Sequence, residues 1–174
     1  DINFICFNTH NWIGNGMTIP SGPLRESLNV LKNYNNIFLN GLNEDTLEIE
    51  KKALKINPNI NIHKSKYIPK NLNKFNINSN YLVFSGIGNH KTFISMLKEH
   101  GFKIIKDLEF SDHYNFTDRD LDKIINLAET LNCKVVTTEK DYYRLDEKYH
   151  ENIKFIKSEL KLHDEEKLVK ILLN

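Results

Sequence analysis

The sequence predicts an α/β fold in which a mostly parallel sheet is flanked by helices. Short apolar runs alternate along the chain with amphipathic segments of about ten to fifteen residues, which is the pattern of successive βαβ units. The apolar runs are almost continuous, as expected for strands that are buried on both faces. With 174 residues, of which 40% are hydrophobic, the chain is long enough for one core and part of a second.

The predicted strands and helices alternate from one end of the chain to the other. Strands are predicted at residues 2–7, 36–39, 61–68, 81–85, 102–107, 134–137 and 153–156. Helices are predicted to begin at residues 21–23 and to span residues 44–56, 90–100, 118–131 and 164–173, with a short turn of helix near residue 141. Pro23 suits a first helical turn, Thr117 an N-cap and Gly101 a C-cap.

Residues 69–80 are predicted to form a linker, because they are rich in Asn and Lys and poor in core residues. A domain boundary near residue 70 follows. The formal net charge is +1, so the chain has no overall field that would attract nucleic acid or an anionic bilayer, and no nucleic-acid partner is expected. No stretch reaches the roughly 18 to 20 apolar residues that a transmembrane helix needs.

The two cysteines, Cys6 and Cys133, lie within apolar runs, where we expect small buried side chains that remain free thiols. The chain opens directly in a strand pattern, INFICF, with no turn or cap before it. We therefore expect further residues upstream of Asp1.

The first candidate motif is the glycine-punctuated loop at residues 15–26, NGMTIPSGPLRE. It leads into a predicted helix and carries Arg25 near the helix start. Backbone N–H groups, the helix dipole and a guanidinium would suit a bound anion there. The alternative is an ordinary loop in which Arg25 pairs with Glu26 or another neighbour.

The second candidate motif is VFSGIGNH at residues 83–90, where a buried strand passes through Gly86 and Gly88 into a helix. Nucleotide-binding turns have this form, but the third glycine of GxGxxG is missing and Asp107 is the one acidic residue near the expected distance. A tight strand-to-helix turn is the alternative. GxxxxGK[ST] does not occur in the 174 residues, which excludes a complete P-loop enzyme on this stretch of chain.

The third candidate motif, FSDHYNFTDRDL at residues 110–121, places Asp112 and His113 between a strand and a capped helix. A histidine at a strand end can act as a general base or be oriented by a carboxylate. The alternative is a solvated loop histidine.

The fourth candidate motif, VVTTEKDYYRL at residues 135–145, ends a buried strand in a run of polar residues. Thr138, Glu139, Lys140 and Asp141 stand where parallel sheets bind ligands. The alternative is a helix cap in which Thr138 bonds to Asp141.

Taken in order, these segments resemble the tetraacyldisaccharide 4'-kinase family, which phosphorylates the 4' position of a lipid A disaccharide precursor with ATP and Mg²⁺. The shared features are GNG followed by PSGPLRE, FSGIGN with Phe93 in the next helix, F-x-DH-x-x-[FY]-T before a helix, and TTEKD. They cover nearly all of the chain. His90 departs from the family, which usually has Pro there, and Asn8 stands where Asp is common. Residues 142–144, YYR, are bulkier than usual.

The resemblance implies a P-loop-kinase-like fold that is truncated at its N-terminus. Residues 1–70 would be the remnant of the nucleotide-binding core domain and residues 71–174 a C-terminal α/β domain. His113 would pair with an upstream Asp, absent here, to assist the attacking 4'-hydroxyl, with Asp112 beside it, and Arg25 would face phosphates of substrate or nucleotide. The residues implied in binding substrate or nucleotide are Asn15, Gly16, Gly22, Gly86, Gly88, Asn89, Thr138, Glu139, Lys140 and Asp141. No metal ligand is implied within this chain.

The resemblance also implies partners and a location. Members of the family carry a Walker A loop, an acidic motif for Mg²⁺ and an N-terminal membrane helix, all before the point where this chain begins. We therefore expect ATP and Mg²⁺ to be held largely outside this chain, with the lipid A disaccharide precursor as substrate and a separate N-terminal P-loop half as a further candidate partner. The expected location is cytoplasmic, at the inner membrane surface.

The function implied by the resemblance is phosphorylation of a tetraacyldisaccharide 1-phosphate in lipid A, or lipopolysaccharide, biosynthesis, and we expect this chain to be inactive alone. A non-catalytic α/β module that binds a glycolipid or a partner subunit is the alternative. An independent nucleotide-binding domain built on GIGN is a third.

Overall fold

The computed structural model describes residues 2–9, 12–41 and 43–173, without the side chains of residues 43–45. Its strands are β1 (Phe4–Asn8), β2 (Asn36–Asn40), β3 (Asn61–Pro69), β4 (Asn80–Ser85), β5 (Lys103–Glu109), β6 (Lys134–Thr138), β7 (Ile153–Ile156) and β8 (Ser158–Leu162). Its α-helices are α1 (Asn43–Ile56), α2 (His90–Glu99), α3 (Asp118–Thr130), α4 (Glu139–Tyr142) and α5 (Glu165–Leu173). Short 3-10 helices cover Leu28–Asn33, Leu72–Lys74 and Glu147–Tyr149.

The predicted fold class is confirmed, since the strands form two sheets whose described pairings are parallel. The sheet orders are β1-β2-β3-β8 and β5-β4-β6-β7. β1 pairs with β2 and β2 with β3 in parallel, and the same holds for β4 with β5, β4 with β6, and β6 with β7. Every predicted strand is present to within two residues at each end, and β8 was not predicted.

The described chain divides into two compact units. Residues up to Tyr67 together with those from Leu160 onward form unit 1, and Ile68–Glu159 form unit 2. The sequence-based division at residue 70 differs, because it places the last residues with the second domain. The physical reason is β8, which neighbours β3 in the sheet order, and the main-chain N–H of His163 donates to Lys64 O at 2.9 Å. The nucleotide-binding assignment of residues 1–70 stays a prediction.

Unit 1 packs one apolar cluster between its parallel strands and α1. The fully or nearly fully buried members are Leu31, Ile37, Leu39, Ile49, Ala53 and Ile60. Ile37 and Leu39 come from β2, the central strand of the three that open the sheet, and Ile49 and Ala53 lie one helical turn apart on α1. Unit 1 therefore has a helix-on-sheet core of its own.

Unit 2 has apolar side chains on both faces of its sheet, as predicted for buried parallel strands. Tyr81 and Val83 of β4 belong to the cluster that also contains α2 residues. Leu82 and Phe84 alternate with them and belong to a second cluster, which contains α3 residues. Because successive strand residues point to opposite faces, β4 serves both cores at once.

The helix predicted to begin at residues 21–23 is absent, so that prediction was wrong. The main chain instead folds back on itself, with Ile19 N–H donating to Leu24 O at 2.8 Å and Leu24 N–H donating to Met17 O at 3.2 Å. Leu24 O, which an α-helix would need as the acceptor for the N–H of Leu28, is engaged with Ile19 instead. The chain becomes helical only in the 3-10 helix that starts at Leu28, whose N-cap is Ser27.

The helix ends predicted from Gly101 and Thr117 are confirmed. Gly101 has a φ of +82°, the left-handed geometry that favours glycine after a helix. Thr117 and Asp120 form a capping box in which Asp120 N–H donates to Thr117 Oγ1 at 3.3 Å and Thr117 N–H donates to Asp120 Oδ2 at 3.0 Å. The hydroxyl of Thr117, followed by its main-chain N–H, lowers the pKa of the Asp120 carboxyl.

Both cysteines are free thiols, as predicted, but neither is fully buried. Cys133 is half-buried, and burial raises the pKa of its thiol. Cys6 is exposed, so its predicted burial was wrong. The reason is that Cys6 lies on β1, at the end of its sheet, where only one face of the strand meets the core. Within the described residues, no helix combines the length and the apolar character that crossing a membrane requires.

Replacing Thr117 with Ala should lower the free energy of unfolding by about 1 kcal/mol, because α3 loses its N-cap acceptor. Urea unfolding followed by circular dichroism measures the change. Thr130→Ala is the matched control: Thr130 sits in the last turn of α3 and its hydroxyl donates to Asn126 O at 2.9 Å within the same helix. Equal losses for the two variants would contradict the capping role.

The stability of unit 1 should fall as the pH drops below about 6.5, because of buried His63. Its ring lies beside Phe4 and Phe38, with Nε2 at 3.1 Å from Asn36 Oδ1. Burial, followed by the charge of Lys167, lowers the pKa of His63. The unfolded chain therefore binds a proton at a higher pH than the folded one, so the stability is full above the unfolded pKa and is lost as the pH falls toward the folded pKa.

Unfolding free energies measured between pH 7.5 and 5 test this expectation. His63→Gln should show a shallower loss across that range than the unchanged protein. His163→Gln, which alters an exposed histidine, should leave the slope as it is. A His63→Gln slope equal to that of the unchanged protein would contradict the assignment.

Candidate active site

The predicted polar residues of unit 2 gather at one edge of its sheet. β4 and β6 are parallel neighbours, and they end at Ser85 and Thr138. The loops that follow these two strands and β5 meet at this edge. The carboxyl edge of a parallel sheet is where α/β proteins place ligands, so we call this set of loops the carboxyl edge of unit 2.

Asp141 is the buried centre of the carboxyl edge. Its side chain is 0% exposed, and its Oδ2 accepts hydrogen bonds from Gly86 N–H at 2.9 Å and from the Thr138 hydroxyl at 2.8 Å. Asp141 N–H donates back to Thr138 Oγ1 at 3.1 Å, which confirms the helix cap considered for this pair. Thr138 and Asp141 therefore tie the end of β6 to the end of β4, and their contact with a ligand stays a prediction.

Gly86 is required by the close approach of the loop that carries His113. A Cβ atom at Gly86 would lie 3.2 Å from Tyr114 Cβ and 3.4 Å from Ser111 O. Gly86 O also accepts the main-chain N–H of His113 at 3.0 Å. The segment at residues 83–90 is thus the tight strand-to-helix turn considered above, and binding by Gly86, Gly88 and Asn89 stays a prediction.

Asp112, His113 and Lys140 form an exposed polar cluster on the carboxyl edge. Lys140 Nζ lies 3.5 Å from His113 Nε2 and 3.8 Å from Asp112 Oδ1. Asp112 Oδ2 lies 3.9 Å from His113 Nε2. An ammonium group has donors and no acceptor, so Lys140 can donate to Nε2 only where that nitrogen presents its lone pair. An exposed neutral imidazole in a loop can accept a proton from a bound hydroxyl.

Arg144 is a residue of the carboxyl edge that the sequence analysis did not select. Its Nη2 donates to His113 O at 3.1 Å and to Asn115 Oδ1 at 2.8 Å, and its Nη1 lies 3.8 Å from Asp141 Oδ1. In the sequence, residues 142–144 stand out only as bulky. The spacing of Asp141 and Arg144, three residues apart at a helix end, is the signal that could have indicated the pair.

His90 is a second missed residue, and it joins β4 to β5. Its side chain is 1% exposed, with Nδ1 at 2.7 Å from Ser85 Oγ and Nε2 at 3.3 Å from Asp107 Oδ2. Ser85 is itself fully buried, so its hydroxyl does not face solvent. The histidine bonds the start of α2 to the end of β4 and to Asp107 within β5.

In unit 1 the predicted residues form a compact loop. Asn15 Nδ2 donates to Ser21 O at 2.8 Å, Asn15 Oδ1 accepts from Met17 N–H at 3.1 Å, and a Cβ atom at Gly22 would lie 2.2 Å from Asn15 Oδ1. Asn15 and Gly22 therefore hold the loop closed. Arg25 is exposed, but the predicted helix N-terminus beside it does not exist. Arg25 belongs to unit 1 and His113 to unit 2.

Comparison with known proteins links this chain to a kinase family. The model of the LpxK family, tetraacyldisaccharide-1-P 4'-kinase, matches residues 1–174. A tetraacyldisaccharide 4'-kinase of Pelagibacter ubique (strain HTCC1062) is 51% identical over 173 residues, which are 99% of this chain and 55% of the relative. One of Rickettsia bellii (strain OSU 85-389) is 36% identical over 146 residues, 83% of this chain and 44% of the relative.

A solved structure shares the fold. It is the "apo" form of LpxK from Aquifex aeolicus in complex with ATP, similar over 99% of this chain and 51% of that one, with a TM-score of 0.56 and 21% identity. This likeness agrees with the predicted P-loop-kinase-like architecture. The chain spans about half the length of the curated relatives that it matches.

The described residues do not by themselves fit ATP phosphates or Mg²⁺. The part of the chain that the structure describes has no group of three or more His, Cys, Asp or Glu side chains that could hold a metal ion. The sequence also has no GxxxxGK[ST] to cradle phosphates.

Asp141→Ala should lower the free energy of unfolding by about 1–3 kcal/mol, because the buried Gly86 N–H loses its acceptor. Asp141→Asn, which keeps an oxygen for that N–H, is the matched variant and should lose less. Urea unfolding compares them. Equal stability of the Ala and Asn variants would contradict the role given to this carboxylate.

Proposed function

The chain belongs to the tetraacyldisaccharide-1-P 4'-kinase family, and from this membership we propose that it takes part in the ATP-dependent phosphorylation of the 4'-hydroxyl of a tetraacyldisaccharide 1-phosphate in lipid A biosynthesis. In this proposal the carboxyl edge of unit 2 receives the acceptor hydroxyl. The observation that carries it is the cluster of Asp112, His113 and Lys140 at the end of a parallel sheet.

We assign His113 the acceptance of the hydroxyl proton, which makes the oxygen a better nucleophile. The geometry supports this role, because 69% of the His113 side chain is exposed and its Nε2 is the ring atom that Asp112 and Lys140 approach. Asp112 Oδ2 and Lys140 Nζ lie 3.9 Å and 3.5 Å from that nitrogen, and the two side chains contact each other. Their opposite charges suit them to orient the imidazole and to meet a phosphorylated sugar, respectively.

Arg25 is proposed to face phosphate groups of the substrate or the nucleotide. It is exposed on the loop of unit 1 that Asn15 and Gly22 hold in shape. A guanidinium can offset the negative charge that is spread over oxygens during phosphoryl transfer. Binding by Gly16 and Glu139 is part of the same proposal.

This stretch of chain is proposed to be inactive without the family's remaining segments. Phosphoryl transfer depends on positioning and on cations placed around the transferred group. The 174 residues contain no GxxxxGK[ST]. In this proposal the nucleotide phosphates are therefore held by residues outside these 174. ATP, Mg²⁺, a P-loop half, the lipid A precursor and the inner membrane surface are accordingly the proposed partners.

The test fuses this chain to the part of the Pelagibacter ubique kinase that it does not cover. We expect the fusion to transfer phosphate from ATP to a tetraacyldisaccharide 1-phosphate, and the 174 residues alone to transfer none. A thin-layer assay with labelled ATP measures the product. Substrate binding by the fusion without any turnover would contradict the kinase proposal and favour a binding module.

Within that fusion, His113→Ala should reduce kcat by about 10²- to 10⁴-fold, the usual contribution of a general base. His163→Ala is the matched control, since His163 is an exposed histidine of unit 1 whose main-chain N–H, which the substitution keeps, donates to Lys64 O. A His113→Ala variant as active as the control would remove His113 from the proposed chemistry.

A further inference from the structure

His113 has an unusual main-chain conformation. Its φ is +59°, in the left-handed region that residues with a Cβ atom rarely adopt. Such a conformation is strained, so it persists only where neighbouring groups fix it. Contacts that hold this backbone therefore also determine where the imidazole points.

Both main-chain polar groups of His113 are bonded. Its N–H donates to Gly86 O at 3.0 Å, and Asp112 Oδ1 lies 3.1 Å from the same nitrogen. Its carbonyl oxygen accepts from Arg144 Nη2 at 3.1 Å. The N–H is thus tied to the end of β4, whereas the carbonyl is tied to the residues that follow β6.

We propose that Arg144 is a positioning residue, whose guanidinium clamps the main-chain carbonyl of His113 and thereby aims the imidazole at the acceptor hydroxyl. This inference rests on the proposed function of His113. Arg144 does not touch the imidazole nitrogens in this arrangement. It acts on the ring only through the backbone that carries it.

The guanidinium suits this task because of its shape. Its Nη2 reaches His113 O and Asn115 Oδ1 together, so the fork joins two points of the same loop. On its other side, Nη1 lies 3.8 Å from Asp141 Oδ1, a charge contact with the buried carboxylate that is too long for a hydrogen bond. A lysine ammonium is a point charge on a flexible stem and lacks the planar fork needed to hold these three groups in one geometry.

The side-chain environment of Arg144 also fits a clamp rather than a free ligand-binding arginine. Its side chain is 32% exposed, against 69% for His113. Two donor contacts and one charge contact already occupy its guanidinium. The residue is therefore committed to the protein, while the imidazole beside it remains open to a substrate.

The first experiment measures amide hydrogen exchange by NMR on the 174-residue chain itself. Arg144→Ala should speed the exchange of the His113 N–H at least tenfold, because the released loop opens from Gly86. Arg119→Ala, which removes an exposed arginine of α3, is the matched control and should not change that rate. An unchanged His113 exchange rate in Arg144→Ala would overturn the clamp, whatever the activity of the protein.

The second experiment measures kcat and KM in the fusion protein. Arg144→Ala should lower kcat roughly 10- to 100-fold with KM for the disaccharide nearly unchanged, as expected for a misplaced catalytic group. Arg144→Lys should recover part of the loss, and millimolar guanidinium, but not urea, should partly rescue Arg144→Ala.

The outcomes separate the inference from the function on which it rests. Faster exchange in Arg144→Ala with an unchanged kcat would overturn the positioning role. A raised KM with an unchanged kcat would also overturn it, because Arg144 would then be a substrate-binding residue. An inactive unmodified fusion would overturn the proposed function, and the positioning role with it, before any variant is compared.

Discussion

The arrangement of unit 2 depends on one buried carboxylate. Asp141 Oδ2 accepts from Gly86 N–H and from the Thr138 hydroxyl, so a single oxygen joins the ends of two parallel strands. Burying a carboxyl group is costly unless it is hydrogen-bonded, and these two donors meet that need at Oδ2. The loop that carries His113 packs on the same glycine, whose missing side chain leaves the room for it.

Much of the fold follows from local sequence patterns. The apolar runs predicted the strands because buried parallel strands need apolar residues on both faces, as Leu82 and Val83 illustrate. Thr117 and Gly101 correctly predicted helix ends because capping depends on residues that are close in the sequence. The helix expected after residue 21 is absent because the main chain of Leu24 is engaged in the hydrogen bonds that close the loop. Leu24 O accepts from Ile19 N–H, and Leu24 N–H donates to Met17 O. β8 was missed because its residues are mostly exposed and polar.

The site was only partly predictable, because local sequence patterns show which residues follow strands but not what those residues contact. Asp112, His113, Lys140 and Asp141 were selected because they follow buried strands, and parallel topology brings such ends to one edge. Their different roles could not be read from spacing, since burial separates Asp141 from the exposed Lys140 that precedes it. The role of Arg144 was not predicted, because its hydrogen-bond partner is a main-chain carbonyl 31 residues away. The sequence around Arg144 does not indicate such a contact.

The order of the units along the chain bears on how the protein is made. Unit 2 is one continuous segment, Ile68–Glu159, whereas unit 1 needs residues from both sides of it. On a ribosome, unit 2 can finish folding while β3 still waits for its neighbour β8, which is synthesised later. During that interval an unpaired strand edge is open to other nascent chains. The strands that precede unit 2 are thus completed only after it, and they carry the hazard of aggregation in the meantime.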